Sequence, residues 1–212
     1  ILYHLVGDVT AMIEGSRETE FDPDRTLLAM QQNCWLLGAM TCVAWMLLTR
    51  GDSGQLRTFG VARKGFGRQL WHGVMTVSAA WLPVFAVLLA SQPLRTPERQ
   101  HSVFQLLELR PSLEIYAWAA LTAVVIAPLF EELVFRVITQ TWLEERLGRS
   151  AIIAASLIFA GVHRFPDSLA IIPLALVLGD AYQRRRSYTE VVVAHALFNA
   201  VMLALDATMQ GQ

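Results

Sequence analysis

The chain has 212 residues, of which 54% are hydrophobic and 17% charged, and its mean hydropathy is +0.42. In soluble domains about a quarter of the residues are charged. This composition therefore excludes an ordinary soluble domain and indicates a polytopic membrane protein. The net charge of −1 at pH 7 gives no support for a nucleic-acid partner.

The chain opens with a polar N-terminal segment, residues 1–27. Within it, residues 14–25 are highly charged and include Pro23, which is typical of a solvated loop. The chain begins at Ile1 with the apolar letters ILYHLV, so we expect that an apolar segment precedes it.

Apolar runs of membrane-spanning length follow this segment. Residues 28–49 and 71–94 contain no Asp, Glu, Lys or Arg, and each has the length of about 20 residues that a crossing requires. Shorter or interrupted apolar runs occupy 115–130, 150–163, 168–179 and 191–205. We therefore predict an all-α, polytopic transmembrane bundle of about six membrane-spanning or membrane-embedded helices. Its domains would be a helix pair with connecting loops (28–106), a helical core (107–206) and a tail (207–212).

Basic residues predict how the bundle sits in the membrane. They cluster in three connections: Arg50, Arg57, Arg63, Lys64 and Arg68 in the first, Arg146 and Arg149 in the third, and Arg184, Arg185 and Arg186 in the fifth. The positive-inside rule places all three connections in the cytoplasm. The chain start and the connection at 95–112 would then lie on the opposite side. We predict a multi-pass protein of a bacterial plasma membrane whose partner is the lipid bilayer.

Strongly polar side chains interrupt three of the apolar runs. They are Glu131, Glu132 and Arg136 in EELVFR, His163 in FAGVH, and His195 with Asn199 in HALFN. A charged side chain at membrane depth costs about 2.5 to 3.5 kcal/mol on insertion scales, so it normally faces a polar partner or an aqueous cavity. Two carboxylates, two imidazoles, a guanidinium and an amide could together form a reaction centre.

Helical spacing divides these residues into pairs. Glu132 and Arg136 are separated by four residues and can form an ion pair on one helix face, whereas Glu131 points about 100° away and lacks that partner. Two glutamates at a helix end in the headgroup region would be the structural alternative. Because apolar residues both precede and follow the pair, a functional role is favoured. A carboxylate in an apolar site is a suitable general base.

The two histidine motifs also follow helical spacing. Phe159 and His163 share one face, and His195 and Asn199 share another. Gly161 would allow another backbone to approach closely. A hydrogen bond between helices is the structural alternative for His195 and Asn199, because small alanines flank them. Counted at 1.5 Å per residue, all the polar groups lie roughly 13 to 22 Å from their helix ends, so three helices could present one polar cavity.

Together the motifs EExxxR, FxxxH and HxxxN, in this order and within apolar segments, resemble the CPBP family (CAAX prenyl protease and bacteriocin-processing, or Abi) of intramembrane glutamic proteases. The resemblance covers roughly residues 107–206. It includes the AP of APLFEELVFR and the run LVLGDAYQRRRSYTEVVVAHALFN, which is similar to the family's glycine, basic turn and terminal motif helix. The chain departs from the family in having Val137 after the arginine and Arg164 after FAGVH, which bears on subfamily and substrate.

The resemblance implies an all-helical protease with a cavity open to the cytoplasm and no cofactor. It implies that Glu131 and His163 hold and activate the attacking water and that Glu132 and Arg136 support the arrangement. It also implies that His195 and Asn199 form the oxyanion site. Two histidines and a glutamate could instead bind a catalytic zinc ion. We rank zinc lower, because the histidines lie on separate helices and the chain has no HExxH motif.

Two functions therefore remain open. The first is an intramembrane endopeptidase that cuts a prenylated C-terminal tail or a membrane-associated peptide or protein. The second is a non-catalytic immunity or scaffold protein that uses the same polar cluster for peptide binding or helix packing. The sequence does not specify an oligomeric state.

Overall fold

The computed structural model describes residues 21–50, 60, 65–95 and 102–210, and every regular element in those ranges is helical. This confirms the all-α prediction. The helices are α1 (Pro23–Thr49), α2 (Phe66–Ala90), α3 (Ser102–Leu109), α4 (Leu113–Ala120), α5 (Ala127–Glu132), α6 (Thr141–Leu147), α7 (Ala151–Gly161), α8 (Asp167–Arg185) and α9 (Tyr188–Gln210). Two π-helical segments, π1 (Leu121–Ile126) and π2 (Leu133–Gln140), join α4, α5 and α6 into one helical stretch.

Local sequence explains where the first helix begins. Asp22 lies in an extended conformation, and its side chain accepts hydrogen bonds from the amides of Asp24 at 3.0 Å and Arg25 at 3.2 Å. Pro23 occupies the first turn, where a missing amide hydrogen costs nothing. Of the segment 14–25 that was predicted as a loop, the last three residues therefore belong to α1. Residues 1–20 lie outside the described part of the chain.

A sharp reversal separates the EELVFR stretch from α7. The helical stretch from α4 to α6 ends at Gly148, which has φ +53°, a conformation that an L side chain rarely adopts. After a short 3-10 turn, Gly148–Ser150, α7 runs back along π2. The apolar run predicted at 150–163 therefore lies beside π2 and α6, residues 133–147.

The helices have two ends, which we name by the residues found there. At the Arg110 end, Arg110 contacts Asp24 at 2.5 Å and Arg95 contacts Asp167 at 2.6 Å. At the Arg186 end, Arg186 pairs with Glu144, and the Ser187 hydroxyl donates to Gln69 at 3.1 Å. All the basic connections that the structure describes, at Arg50, Arg68, Arg146, Arg149 and Arg184–Arg186, belong to the Arg186 end. Arg57, Arg63 and Lys64 lie outside the described residues.

Three helical stretches of the described chain are long and apolar enough to cross a membrane: Phe66–Ala90, Leu113–Gly161 and Tyr188–Thr208. Large apolar side chains also cover the outer surface, including Trp35 at 71%, Leu82 at 82% and Leu113 at 87% exposure. Exposure on that scale indicates lipid contact rather than contact with water. Helix α1 has the length of a crossing but includes Gln31, Gln32 and Asn33, and it is not among the three. The count of six spans stays a prediction.

The main core lies between α2, α8 and α9, where Val77, Ala80, Leu178, Val191 and Ala194 are buried. Helices α2 and α9 approach each other closely at Gly73. A Cβ atom at this position would lie 2.7 Å from Val193 Cγ1 and 3.1 Å from the Glu190 carbonyl. The glycine therefore sets the spacing of these two helices.

We expect Gly73→Ala to lower the free energy of unfolding by about 1 to 3 kcal/mol, because the added methyl group overpacks the α2 and α9 contact. Thermal unfolding in detergent would measure the change. Gly38→Ala is the matched control, since a Cβ there meets nothing within 4 Å of the described chain. It should leave stability unchanged or raise it by up to about 1 kcal/mol through helix propensity. Equal behaviour of the two variants would contradict the packing argument.

Candidate active site

The predicted ion pair lies at the centre of a buried three-residue network. Arg136 Nε donates to Glu132 Oε2 at 3.1 Å, and neither side chain has any exposed surface. The other carboxylate oxygen, Oε1, accepts a hydrogen bond from His195 Nδ1 at 2.8 Å. The i to i+4 pairing predicted from EELVFR is therefore present, and α9 supplies a further donor to the same carboxylate.

Glu131 is only 6% exposed and lies beside the same imidazole. Its Oε2 atom is 3.8 Å from His195 Nε2, which is longer than a hydrogen bond. No hydrogen bond reaches this carboxylate from the described residues. As predicted, Arg136 pairs with Glu132 rather than with Glu131. The contact with His195 was not predicted and brings both carboxylates to one histidine.

His163 follows the last turn of α7, which ends at Gly161. Its Nδ1 atom donates to the Phe159 carbonyl at 2.7 Å, and the two rings lie 4.8 Å apart. The Phe159 ring also contacts His195 edge-on at 5.9 Å. Phe159 thus lies between the two histidines. The close approach predicted at Gly161 was wrong, because a Cβ there meets nothing within 4 Å of the described chain.

Asn199 contacts the backbone of the EELVFR stretch. Its Nδ2 atom donates to the Ala123 carbonyl in π1 at 2.7 Å. The neighbouring Ala127 amide bonds to Thr122 instead, and Pro128 has no amide hydrogen to offer. Asn199 therefore supplies a hydrogen bond that the helix itself cannot make, as the interhelical alternative anticipated.

A cavity of about 360 Å³ joins the three motifs. Its lining includes Glu131, Phe159, His163, His195 and Asn199. Glu132 and Arg136 are not part of the lining and lie behind it. Five residues of the three motifs are thus assembled around one space, and the fully buried ion pair supports them from outside it.

Sequence reasoning missed the residues behind the ion pair. Gln140 Nε2 donates to the Gly179 carbonyl at 2.9 Å. A Cβ at Gly179 would lie 3.0 Å from Gln140 Oε1 and 3.4 Å from Arg136 Nη1, so the glycine lets α8 pack against the ion pair. The glycine of LVLGD was a signal for this packing, whereas nothing in the sequence pattern singled out Gln140.

The basic turn RRR also has structural partners that topology reasoning did not assign. Arg185 donates to the fully buried Glu190 through Nε at 2.7 and 2.8 Å, and Thr76 donates to the same carboxylate at 2.8 Å. Arg184 pairs with Asp180 at 2.9 Å. These contacts fasten the turn between α8 and α9 to α2 at the Arg186 end.

The cavity extends toward the end opposite to the basic connections. Its described lining reaches Thr26, Arg95, Ser102, Arg164 and Asp167 at the Arg110 end and includes no residue of the Arg186 end. The sequence placed the basic connections in the cytoplasm and also expected a cavity open to the cytoplasm. The described lining lies away from the basic connections, and the side on which the cavity opens stays a prediction.

No group of three His, Cys, Asp or Glu side chains in the described ranges is arranged to hold a metal ion. Glu131, Glu132 and His195 are close, but Glu132 is already engaged by both Arg136 and His195. That the mechanism is metal-free rather than zinc-dependent stays a prediction.

Comparison with known proteins confirms the resemblance inferred from the motifs. Residues 113–201 match the family model described as type II CAAX prenyl endopeptidase Rce1-like. This region contains all six candidate residues, whereas the cavity lining also includes residues outside it, such as Met30 and Phe104. Together with the apolar helices, the match indicates an integral membrane protein.

Two curated relatives each match a part of the chain. The UPF0177 protein in abiGi 5'region of Lactococcus lactis subsp. cremoris is 32% identical over 84 residues, which is 39% of this chain and 35% of that protein. The UPF0177 protein YaiH of Lactococcus lactis subsp. lactis (strain IL1403) is 31% identical over 86 residues, covering 40% and 36%. The chain thus spans about a third of the length of the curated relatives it matches. No solved structure matches the chain significantly.

Cysteine labelling tests the direction of the cavity. In a chain whose Cys34 and Cys42 are replaced by Ser, we expect Arg164→Cys and Arg149→Cys to react with a membrane-impermeant maleimide from opposite sides. Arg164 lines the cavity, whereas Arg149 belongs to the basic end. Intact and permeabilised cells would be compared.

The labelled side also identifies the compartment. If the basic connections are cytoplasmic, Arg164→Cys reacts in intact cells and substrates enter from outside the cytoplasm. A prenylated cytoplasmic tail as substrate requires the reverse pattern. Labelling of both positions from one side would refute the arrangement of the two ends.

Proposed function

We propose that this protein is an intramembrane endopeptidase that hydrolyses a peptide bond with a water molecule activated by Glu131 and His163. The observation that carries the proposal is the state of Glu131. Its carboxylate is almost fully buried, lines the cavity and accepts no hydrogen bond from the described residues. A buried carboxylate that accepts no hydrogen bond within the protein is rare in stable folds and is typical of groups that bind a ligand or take part in a reaction.

The contrast with Glu132 supports this division of roles. Glu132 is bonded to Arg136 and His195 and lies behind the cavity wall, so its charge is balanced within the fold. Glu131 keeps its acceptor oxygens for a water molecule in the cavity. In the proposed reaction it takes a proton from that water as the oxygen attacks the peptide carbonyl. It then returns the proton to the amine as the carbon–nitrogen bond breaks.

His163 can help to hold the water because its tautomer is set by its own helix. Nδ1 carries the proton that the Phe159 carbonyl accepts, so Nε2 of the neutral ring is an acceptor. A water that donates one hydrogen to His163 and the other to Glu131 presents an oxygen lone pair to the substrate carbonyl. The position of both residues on the cavity wall supports this role.

To stabilise an oxyanion, His195 and Asn199 must each offer it an N–H group. Asn199 donates one hydrogen of its amide to the Ala123 carbonyl, and the amide carries a second hydrogen. His195 already donates from Nδ1 to Glu132. It can donate to an oxyanion only when Nε2 is protonated as well, which means as an imidazolium flanked by two carboxylates.

The cavity walls support an apolar substrate segment. Beyond the motif residues the lining contains Met30, Leu37, Leu88, Phe104, Leu174 and Leu203. A prenylated C-terminal tail or a membrane-associated peptide would fit such walls, with the scissile bond beside Glu131 and His163.

One observation favours the non-catalytic alternative. Asn199 and His163 both have hydrogen bonds within the protein, to Ala123 and Phe159. Such bonds would also be expected if the cluster served only to pack helices or to bind a peptide without cutting it.

We expect Glu131→Gln to reduce cleavage at least about 100-fold, because the variant loses its general base, while the fold is retained. Cleavage would be followed with purified protein in detergent, using quenched fluorescent peptides with and without a farnesylated C-terminal tail. Glu145→Gln is the matched control, since Glu145 is exposed and lies outside the cavity.

Activity of the wild type and of Glu145→Gln with none in Glu131→Gln is the expected result. A Glu131→Gln variant that cleaves at the wild-type rate would refute the mechanism, and a wild type that binds the peptides without cutting them would favour the scaffold. A chelator arm tests the metal alternative, because loss of cleavage that zinc restores would replace the metal-free mechanism.

A further inference from the structure

We propose that Tyr188 is a positioning residue for the paired glutamates, an inference that rests on the proposed endopeptidase function. Tyr188 begins α9, and its hydroxyl donates to the carbonyl of Leu129 in α5 at 2.6 Å. Leu129 precedes Glu131 by two residues. The bond therefore acts on the backbone that carries both carboxylates, although Tyr188 is not part of the cavity lining.

The helix departs from regular geometry at this carbonyl. In an α-helix the amide of Leu133 would bond to the Leu129 carbonyl, but here it bonds to the carbonyl of Phe130. The following segment, π2, continues with π-helical geometry. The Leu129 carbonyl has therefore lost its regular partner, and the Tyr188 hydroxyl takes that place.

The same arrangement occurs on the other side of the glutamates. The Ala123 carbonyl loses its regular partner in π1 and is bonded by Asn199. Helix α9 thus contacts the stretch at Ala123 and at Leu129, and through His195 at the Glu132 side chain. Irregular turns inside helices are frequently found at functional sites, and here the two enclose α5.

Tyr188 is itself firmly held. It is 5% exposed, and its ring packs edge-on against Trp45 with centroids 5.4 Å apart. Its backbone amide donates to the Gly60 carbonyl at 3.3 Å. At membrane depth an unsatisfied carbonyl has no water with which to form a hydrogen bond. Breaking the bond between the Tyr188 hydroxyl and the Leu129 carbonyl is therefore costly.

The chain offers a matched control in Tyr182. This residue is also buried, at 1% exposure, but its hydroxyl lies near the side chains of Thr141 and Arg186 and bonds to no backbone carbonyl among the described residues. Removing either hydroxyl deletes one buried oxygen from a tyrosine in the same core. Only the removal at Tyr188 frees a carbonyl next to the glutamates.

The test compares Tyr188→Phe with Tyr182→Phe and wild type in the peptide-cleavage assay described above. We expect Tyr188→Phe to lower kcat by roughly 10- to 100-fold with little change in KM, because a small displacement of Glu131 misaligns the water without altering the apolar walls. Tyr182→Phe should keep both constants. A merely structural role would lower thermal stability without this split between kcat and KM.

Hydrogen–deuterium exchange provides a readout that does not need activity. We expect peptides covering residues 129–136 to exchange faster in Tyr188→Phe than in wild type or Tyr182→Phe. Unchanged exchange in Tyr188→Phe overturns the inference whether or not the wild type cleaves peptides. An active wild type with an unchanged kcat in Tyr188→Phe overturns it as well. A wild type that cleaves nothing overturns the proposed function instead.

Discussion

The negative charge of Glu132 is the constraint on which the rest of the site depends. The side chain has no exposed surface, so its charge must be balanced by groups inside the protein. Arg136 supplies a donor to one oxygen and His195 supplies a donor to the other. The first contact lies within one helical stretch, whereas the second joins that stretch to α9. A single carboxylate therefore fixes how two parts of the bundle meet.

The guanidinium of Arg136 extends the same constraint to α7. Its two terminal nitrogens are buried and have no hydrogen-bond partner among the described residues. Its Cζ atom lies 5.3 Å from the centre of the Phe159 ring, within the range of a cation–π interaction. Phe159 in turn contacts both His163 and His195. The ion pair at Glu132 is thus connected, through Arg136 and Phe159, to both histidines.

Sequence reasoning captured the parts of this site that depend on local spacing. The ion pair between Glu132 and Arg136 follows directly from i to i+4 geometry, and the convergence of three apolar segments followed from the cost of burying their polar residues. The π-helical turns could not be read in the same way. Pro128 removes one amide hydrogen, but which carbonyl is left without a partner depends on the helix register, and that register is set by tertiary contacts. Tyr188 was missed for the same reason, because its bond to Leu129 joins residues far apart in the chain.

His195 and Asn199 of α9 have structural contacts in addition to their proposed chemical role, whereas for Glu131 we propose a chemical role alone. Asn199 satisfies a backbone carbonyl and His195 satisfies a buried carboxylate, so changing either residue disturbs the fold together with any reaction. Glu131 accepts no hydrogen bond from the described residues, and its ionic contact among them is the 3.8 Å approach to His195 Nε2. Loss of its charge breaks no hydrogen bond within the described chain and leaves His195 bonded to Glu132. Glu131 is therefore the position at which catalysis can be separated from folding, and it distinguishes a protease from a scaffold built on the same helices.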